Sequence, residues 1–265
     1  MTFRLFLAVL AAFLAVDFCT AQKLSAPSKA SKAEAEGADR EAQELVRETL
    51  SQKPEKQTAM EGVLKIRDAS GKRLEVPLKY TIVPEEFGWR GVYEARSTPW
   101  RGAERLVIIH HEAQSNRYIH SAAGGPAEAP KQPVTLTGAQ AAVPFAGSDY
   151  WLCDLGMEFL YWPQQRLVRE AKIKMRQNRP CKVIESTSPN PGATKYARVV
   201  SWLDAESGAP IYAEGFDANS KRFKIFSLHG FTKANGRWQP KELEMLDERT
   251  DSRTRLEFSV ETPEP

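Results

Sequence analysis

The feature that most constrains the fold is a hydrophobic period of two residues. In RLEVPLKYTIV (73–83) every second residue is apolar, and TRLEFSV (254–260) repeats the pattern near the C-terminus. Alternation of this kind is typical of an antiparallel strand with one buried face. Turn signals at 204–208 and 233–236 separate strand-like runs, and loops of this composition supply the positive φ that hairpins need. The sequence therefore indicates a long antiparallel meander.

We predict a mainly β (α+β) fold. It should consist of one strongly curved antiparallel sheet, or incomplete β-barrel, of about 11 strands, because a meander of that length must curl to bury its apolar face. Residues 38–52 carry apolar side chains at helical spacing, which predicts an N-terminal helix. A second, short helix is predicted at residues 149–160, over or inside the concave face. The Gly-, Pro- and Ala-rich residues 122–145 are predicted to form a long connection, and such connections often act as lids.

The N-terminus has the layout of a secretory signal peptide. Arg4 precedes a mostly apolar run over residues 5–16, and small residues end at Ala21, so cleavage is expected after Ala21. The run is too short to span a bilayer comfortably, which makes a membrane anchor the less favoured alternative. We assign residues 1–21 to a signal peptide, 22–37 to a flexible leader, 38–261 to a single β domain and 262–265 to a tail.

Cysteine usage depends on this export. Cys153 and Cys181 remain once Cys19 leaves with the signal peptide. Two cysteines in an exported chain readily form a disulfide, so a Cys153–Cys181 bridge is predicted, with two free buried thiols as the alternative. Their spacing is too long for a C-x-x-C redox or metal pair.

Charge and motifs give little support to several function classes. The formal net charge is +3, and acids and bases are interspersed, so nucleic acid is not an expected partner. The sequence contains no P-loop, dinucleotide-binding fingerprint or EF-hand, and no cofactor is expected.

Enzymatic chemistry has only weak candidates. His110 and His111 are adjacent on a predicted strand and point to opposite faces, so only one of them could join His120 on a metal. Ser148 lacks the G-x-S-x-G turn that presents a hydrolase nucleophile. We therefore predict no catalytic residue and no metal site, with a metal-dependent hydrolase as the least favoured alternative.

One aromatic segment stands out from the strands. FAGSDYWLCDLGMEFLYWP (145–163) combines six aromatic residues with one cysteine and three acids. Apolar residues cover much of the circumference of its predicted helix, so the helix must be covered on several sides. It either completes a solid core or walls a cavity on the concave side of the sheet, and the residue pattern alone slightly favours the solid core.

Several longer stretches resemble a known family. The runs FAGSDYWLCDL, CKVIESTSP, YARVVSWLDAESGAPIYAEGFD and GRWQPKELEMLDERTDSRTRLEF are similar to the bacterial outer-membrane lipoprotein-sorting proteins with the LolA-like fold, and more closely to a branch with few characterised members. The resemblance covers about residues 134–258 and is looser upstream. Its most specific pieces look like turn, cap and packing residues. They are Ser148-Asp149 with Asp154-Leu155, Trp202 and Asp204 with Glu206, Gly208 and Pro210, and Glu244-Met245 with Thr250 and Thr254.

The resemblance implies an unclosed antiparallel β-barrel, covered by helices, around an apolar cavity for acyl chains. The aromatic segment would then wall that cavity. The implied protein is a monomeric, non-enzymatic carrier in the periplasm of a bacterial cell envelope. It would hold a lipid or lipoprotein acyl chain during outer-membrane lipoprotein sorting, with an envelope protein as donor or acceptor. The alternative is an envelope interaction or adhesion protein with a filled core. The candidate wall residues are Tyr80, Tyr150, Trp151, Leu155, Phe159, Trp162, Trp202, Phe223 and Phe258.

Overall fold

The computed structural model describes residues 29–111, 114–168, 174–176, 178–191, 196–234 and 237–259. The predicted signal peptide, the first part of the predicted leader and the predicted tail lie outside these residues. Within the described ranges, no helix is both long and apolar enough to cross a membrane.

The N-terminal helix, α1, spans Lys29–Leu50. It begins inside the predicted leader, so that prediction is wrong for residues 29–37, where Ala, Lys and Glu favour a helix even without an apolar period. Further along, Ala42 and Val46 are buried and pack with Leu160, Ile184 and Leu203. The apolar stripe expected from the sequence is therefore the face that joins α1 to the rest of the protein.

Fourteen strands of the described chain form one antiparallel sheet. They are β1 Thr58–Arg67, β2 Arg73–Glu85, β3 Gly88–Ala95, β4 Glu104–His111, β5 Arg117–Ala122, β6 Val134–Thr137, β7 Gln164–Leu167, β8 Lys174–Arg176, β9 Arg179–Thr187, β10 Arg198–Asp204, β11 Pro210–Phe216, β12 Arg222–Ala234, β13 Arg237–Asp247 and β14 Ser252–Phe258.

The strands pair in the order β6-β5-β4-β3-β2-β1-β14-β13-β12-β11-β10-β9-β7, and β8 also pairs with β9. Most pairs join strands that are adjacent along the chain, whereas β1 pairs with β14 and joins the two ends of the meander. Among the described residues, the outermost strands β6 and β7 do not pair with each other, so the sheet is open. The predicted mainly β class and the unclosed antiparallel sheet are confirmed.

The sheet has more strands than predicted, because the additional strands are too short to show a clear alternation of apolar and polar residues. β6 has four residues and lies inside the predicted long connection. β7 has four residues and β8 has three.

The sheet bends strongly around residues 145–162, which we call the inner segment. Tyr118 on β5 donates a hydrogen bond to Glu158, and Lys224 on β12 donates one to Asp154. In a flat sheet β5 and β12 would lie roughly 30 Å apart, because neighbouring strands are separated by about 4.8 Å. Since Asp154 and Glu158 belong to consecutive turns of one short segment, the sheet must curl to reach both. We call the face that surrounds this segment the inner face.

Candidate functional site

The inner segment lies across the inner face and contributes to the largest hydrophobic cluster of the protein. The predicted helix over residues 149–160 is correct only in part, because α2 spans Leu152–Leu155 and a separate 3-10 helix spans Glu158–Tyr161. Met157 between them has a left-handed φ of 49°. At Gly156 the backbone approaches Tyr118 so closely that a Cβ would lie 2.4 Å from its hydroxyl. The chain therefore changes direction at residues 156 and 157 instead of continuing one helix.

Two acids of the inner segment are bound by residues from the C-terminal half of the sheet. Asp149 accepts hydrogen bonds from the hydroxyls of Ser252 and Thr254, the second at 2.7 Å. Burial raises the pKa of Asp149. Asp154 accepts hydrogen bonds from Tyr196 Oη at 2.8 Å and from Lys224 Nζ at 2.9 Å. These contacts hold the first half of the segment against β12 and β14.

The third acid, Glu158, lies among neutral groups at the other end of the segment. Tyr118 Oη donates to Glu158 Oε2 at 2.8 Å, and Asn116 Nδ2 donates to the Gly156 carbonyl at 2.8 Å. Glu158 is only 5% exposed, and burial raises its pKa to about 7. Its charge therefore changes near neutral pH, where an ordinary glutamate is fully ionised.

Lys224 is the main site residue that sequence reasoning missed. It is 1% exposed, and besides Asp154 its Nζ contacts the Asp149 carbonyl oxygen at 2.6 Å. The same ammonium lies 3.6 Å from the centre of the Trp151 ring, within range of a cation–π interaction. Its charge is thus neutralised by a carboxylate, a carbonyl and an aromatic face, as a buried cation requires.

A β-bulge explains why this lysine faces inward. Gly215 on β11 pairs with Lys224, whereas the next residue, Phe216, pairs with Arg222. Phe223 is consequently an extra residue in β12, and a bulge of this kind changes the direction of the neighbouring side chains. Both Phe223 and Lys224 are buried as a result, which strict alternation along the strand would not allow.

Two pockets flank the inner segment. The first is partly open and encloses about 30 Å³. Its lining residues are Met157, Phe159, Val199, Pro210, Ala213, Gly215, Phe226 and Met245, together with Asp154, Tyr196 and Lys224. The second encloses about 20 Å³ and shares Asp154, Phe159 and Tyr196 with the first. Phe159 is therefore a wall common to both pockets.

A third pocket is polar and lies elsewhere. It encloses about 190 Å³ and is formed by α1 and the turn between β10 and β11, with Glu48, Gln52, Lys182 and Glu206 among its lining residues. This lining does not suit an apolar ligand, because a chain placed there would leave charged groups without water.

The structure brings together all of the predicted wall residues except Trp202. The largest cluster contains Tyr80, Tyr150, Trp151, Leu155, Phe159, Trp162, Phe223 and Phe258. Of these, Phe159 and Trp162 line the two pockets. The rings of Trp151, Tyr196 and Phe223 pack on one another, with centroids 5.0, 5.1 and 6.0 Å apart. The aromatic segment is thus a filled core around Trp151 and a pocket wall around Phe159.

Trp202 belongs to a separate cluster on the outer face, so its prediction as an inner wall residue is corrected. It packs with Cys181 and with Tyr212, whose ring centroid is 5.0 Å away, and the Arg176 guanidinium lies over the Tyr212 ring. The adjacent Leu203 packs with α1 instead. Successive side chains of a strand point to opposite faces, so only one of these two neighbours can face inward.

The predicted disulfide is also wrong, because Cys153 and Cys181 are free and buried. Cys153 lies in the cluster of the inner segment, whereas Cys181 on β9 lies in the outer cluster with Trp202. The sheet separates the two thiols, so no bridge can form without a rearrangement of the backbone. Burial raises the pKa of both thiols, which favours the unreactive protonated form.

The histidines that suggested metal chemistry have other partners. His110 stacks on Trp89 with ring centroids 3.7 Å apart, and burial lowers its pKa to about 3. His120 Nε2 lies 2.8 Å from Glu104 Oε1. Among the described residues, no three His, Cys, Asp or Glu side chains are grouped so that they could hold a metal ion.

Comparison with known proteins places the chain in a family. A family model with the description "Uncharacterized protein" matches residues 101–262. The chain belongs to that family. No curated protein matches its sequence.

Solved structures show the fold to be LolA-like. The chain is similar to a domain from Vibrio parahaemolyticus described as an outer membrane lipoprotein-sorting protein, with a TM-score of 0.68 and 15% identity over 86% of this chain and 95% of that one. It is also similar to a DUF1329 family protein from Desulfovibrio piger, with a TM-score of 0.66 and 14% identity over 86% and 95% of the two chains. A LolA superfamily protein from Nitrosomonas europaea gives a TM-score of 0.57 and 12% identity over 84% and 92%. These matches confirm the resemblance as one of fold.

Proposed function

We propose that the protein is a non-enzymatic carrier that binds an acyl chain of a lipid or lipoprotein on the inner face of its sheet. The observation that supports this most is the first pocket, which has mostly apolar walls and lies beside the inner segment. The polar groups at this pocket have protein partners: Lys224 and Tyr196 both donate to Asp154. A ligand therefore has little to gain there except the burial of apolar surface.

The gain from such burial is large enough for useful affinity. Each buried methylene contributes about 0.8 kcal/mol, so a stretch of about ten methylenes gives roughly 8 kcal/mol before the costs of association. Met157 and Met245 lie in the pocket walls, and their flexible, polarizable side chains can adapt to a bound chain. The pocket thus suits an apolar chain of variable shape better than a rigid polar ligand.

The cellular setting of this proposal is the bacterial envelope. The predicted signal peptide supports export to the periplasm, and the fold is shared with a domain described as a lipoprotein-sorting protein. Exchange of the chain with a donor or acceptor protein of the envelope would complete the role in outer-membrane lipoprotein sorting.

A second candidate is an envelope interaction protein with a filled core. The packed rings of Trp151, Tyr196 and Phe223 favour it, because they leave no space between them for a ligand. In that case the outer surface of the sheet, not its inner face, would carry the binding site.

Native mass spectrometry of the protein purified from an envelope fraction tests the two candidates. The carrier predicts protein bound to lipid, or stripped protein that takes up added lipids and lipopeptides. Phe226→Lys places a cation in the first pocket and is expected to abolish this uptake, because a charge in an apolar site is costly. Phe87→Lys, at a position that is 72% exposed, is the matched control. Protein that stays bare and ignores all added lipids would rule out the carrier.

A further inference from the structure

Glu158 is a buried acid of the inner segment that has only neutral partners among the described residues. It is 5% exposed, Tyr118 Oη on β5 donates a hydrogen bond to its Oε2 at 2.8 Å, and Asn116 also stabilises the carboxylate. No described lysine, arginine or histidine forms an ion pair with it. A carboxylate buried without a cation is costly, and burial accordingly raises the pKa of Glu158 to about 7.

The neutral groups around this acid keep one protonation state near neutral pH. Burial lowers the pKa of His110 on β4 to about 3, so its ring is uncharged. Burial also raises the pKa values of Tyr118, Tyr161 and Cys153, so these three side chains stay protonated. Glu158 therefore changes its charge near pH 7 while these neighbours do not.

Two further acids on the inner face have cations of their own. Asp154 lies 2.9 Å from the ammonium of Lys224. Glu104 on β4 contacts the Arg101 guanidinium, and His120 Nε2 lies 2.8 Å from its Oε1. Since these basic groups already have acidic partners, none of them supplies a counter-charge to the third acid of the inner segment.

The second pocket connects this carboxyl with the ligand site. Glu158 lines it together with Cys153, Phe159 and Trp162. The pocket encloses about 20 Å³, which is enough for about one water molecule. An ionised carboxylate needs such a water, whereas a neutral carboxyl does not. Phe159 is also a wall of the first pocket, so an apolar chain there and a water beside Glu158 compete for the space on either side of this ring.

The backbone links the carboxyl to that ring. Glu158 and Phe159 are the first two residues of the 3-10 helix Glu158–Tyr161, which follows the change of direction at residues 156 and 157. A movement of Glu158 toward water therefore also moves Phe159.

We propose that binding of the acyl chain is coupled to protonation of Glu158, so that the carrier holds the chain while this carboxyl is neutral and releases it when the carboxyl ionises. This inference rests on the carrier function proposed above and adds how the ligand is released. The ionised carboxylate takes up water in the second pocket, and Phe159 then occupies space that the chain requires.

The size of the coupling follows from proton linkage. If the bound chain raises the pKa of Glu158 from about 7 to about 8, the affinity falls about eightfold between about pH 6 and about pH 9. Binding at about pH 7 should then take up about 0.4 proton per ligand. Isothermal titration calorimetry measures both quantities, with a monoacylglycerol as a ligand whose charge does not change over this range. Proton uptake is obtained from two buffers that differ in their enthalpy of ionisation.

Glu158→Gln should bind the monoacylglycerol with one affinity at both pH values and with no proton uptake. Glutamine can accept the same hydrogen bond from Tyr118, so the variant is expected to fold, and urea denaturation checks this. Glu86→Gln, at an exposed position, is the matched control and should keep the pH dependence of the wild type.

The outcomes separate this inference from the proposed function. The inference is wrong, while the carrier function stands, if the wild type binds the ligand equally at both pH values or more tightly at the higher one. It is also wrong if Glu158→Gln keeps the proton uptake of the wild type. If the wild type binds no monoacylglycerol at either pH, the carrier function itself is wrong.

Discussion

Replacement of Glu158 by glutamine should change the way in which the stability of the protein depends on pH. Glu158 is buried beside Tyr118 and Asn116, and its pKa is raised from the ordinary 4.5 to about 7. Glutamine has nearly the shape of the protonated glutamate and can accept the same hydrogen bond from Tyr118. The variant therefore removes the titration of this group with little change in packing.

The sign of the effect follows from proton binding. Between about pH 4.5 and 7 the folded protein keeps a proton on Glu158 that the unfolded chain has lost, so the free energy of unfolding falls as the pH rises. The stabilising contribution is complete below about pH 4.5 and is lost as the pH passes through about 7. One pH unit of pKa shift is worth about 1.4 kcal/mol, so the full change is about 3 kcal/mol.

His110 has the opposite effect over an overlapping range. Its pKa is lowered from 6.5 to about 3, so the unfolded chain takes up a proton below about pH 6.5 that the folded protein does not. Between about pH 4.5 and 6.5 the contributions of Glu158 and His110 therefore oppose each other. In Glu158→Gln the contribution of Glu158 is absent, so stability should rise more steeply with pH over that range than it does in the wild type.

Urea denaturation of both proteins at a series of pH values measures this difference. The variant should match the wild type near pH 4.5 and exceed it by about 3 kcal/mol at about pH 8. The control is Glu86→Gln at an exposed position, which measures the effect of replacing a glutamate by a glutamine at the surface. Parallel stability curves for Glu158→Gln and wild type would refute the reasoning, since they would mean that Glu158 titrates alike in both states.

Three further predictions concern the inner face and the thiols. Lys224→Met should lower the free energy of unfolding by about 3 to 5 kcal/mol, because Asp154 is left as a buried charge without its cation. The double variant Lys224→Met with Asp154→Asn should recover part of this loss, and urea denaturation measures both changes. Phe159→Ala removes the wall common to the two pockets and should shift binding toward longer acyl chains, which native mass spectrometry with chains of graded length can detect; an unchanged length preference would show that the pockets do not act together. Reducing agent should leave the Tm of the purified protein unchanged, because Cys153 and Cys181 are unpaired; a lowered Tm would contradict this.

Much of the fold could be predicted from local patterns. The alternation at 73–83 became β2 with Val76 and Leu78 facing the core, and the helical spacing of Ala42 and Val46 became the packed face of α1. Short edge strands such as β6 escaped prediction, because four residues contain too few alternations to distinguish a strand from a connection. The length of the meander predicted the curvature and the incomplete barrel, and the resemblance to LolA-like proteins implied the same architecture.

The candidate site was harder to predict, and Lys224 shows why. From the sequence, Lys224 looks like an exposed residue of β12 until the register with β11 reveals the bulge at Phe223. Its partner Asp154 is close in space but lies some seventy residues earlier in the chain. The only signal available was the presence of isolated charged residues within apolar runs, and that pattern does not identify their partners.

The sequence by itself determined the longer strands, where the chain turns between them and that one aromatic segment must be enclosed, because these properties depend on residues only a few positions apart. Only the tertiary structure decided which side of the sheet each segment faces. Trp202 and Cys181 lie on the outer face, and Phe159 and Cys153 lie on the inner one. The physical reason is that a shift of one residue in register, or one bulge, reverses the face of every following side chain, and register is set by pairing between distant strands.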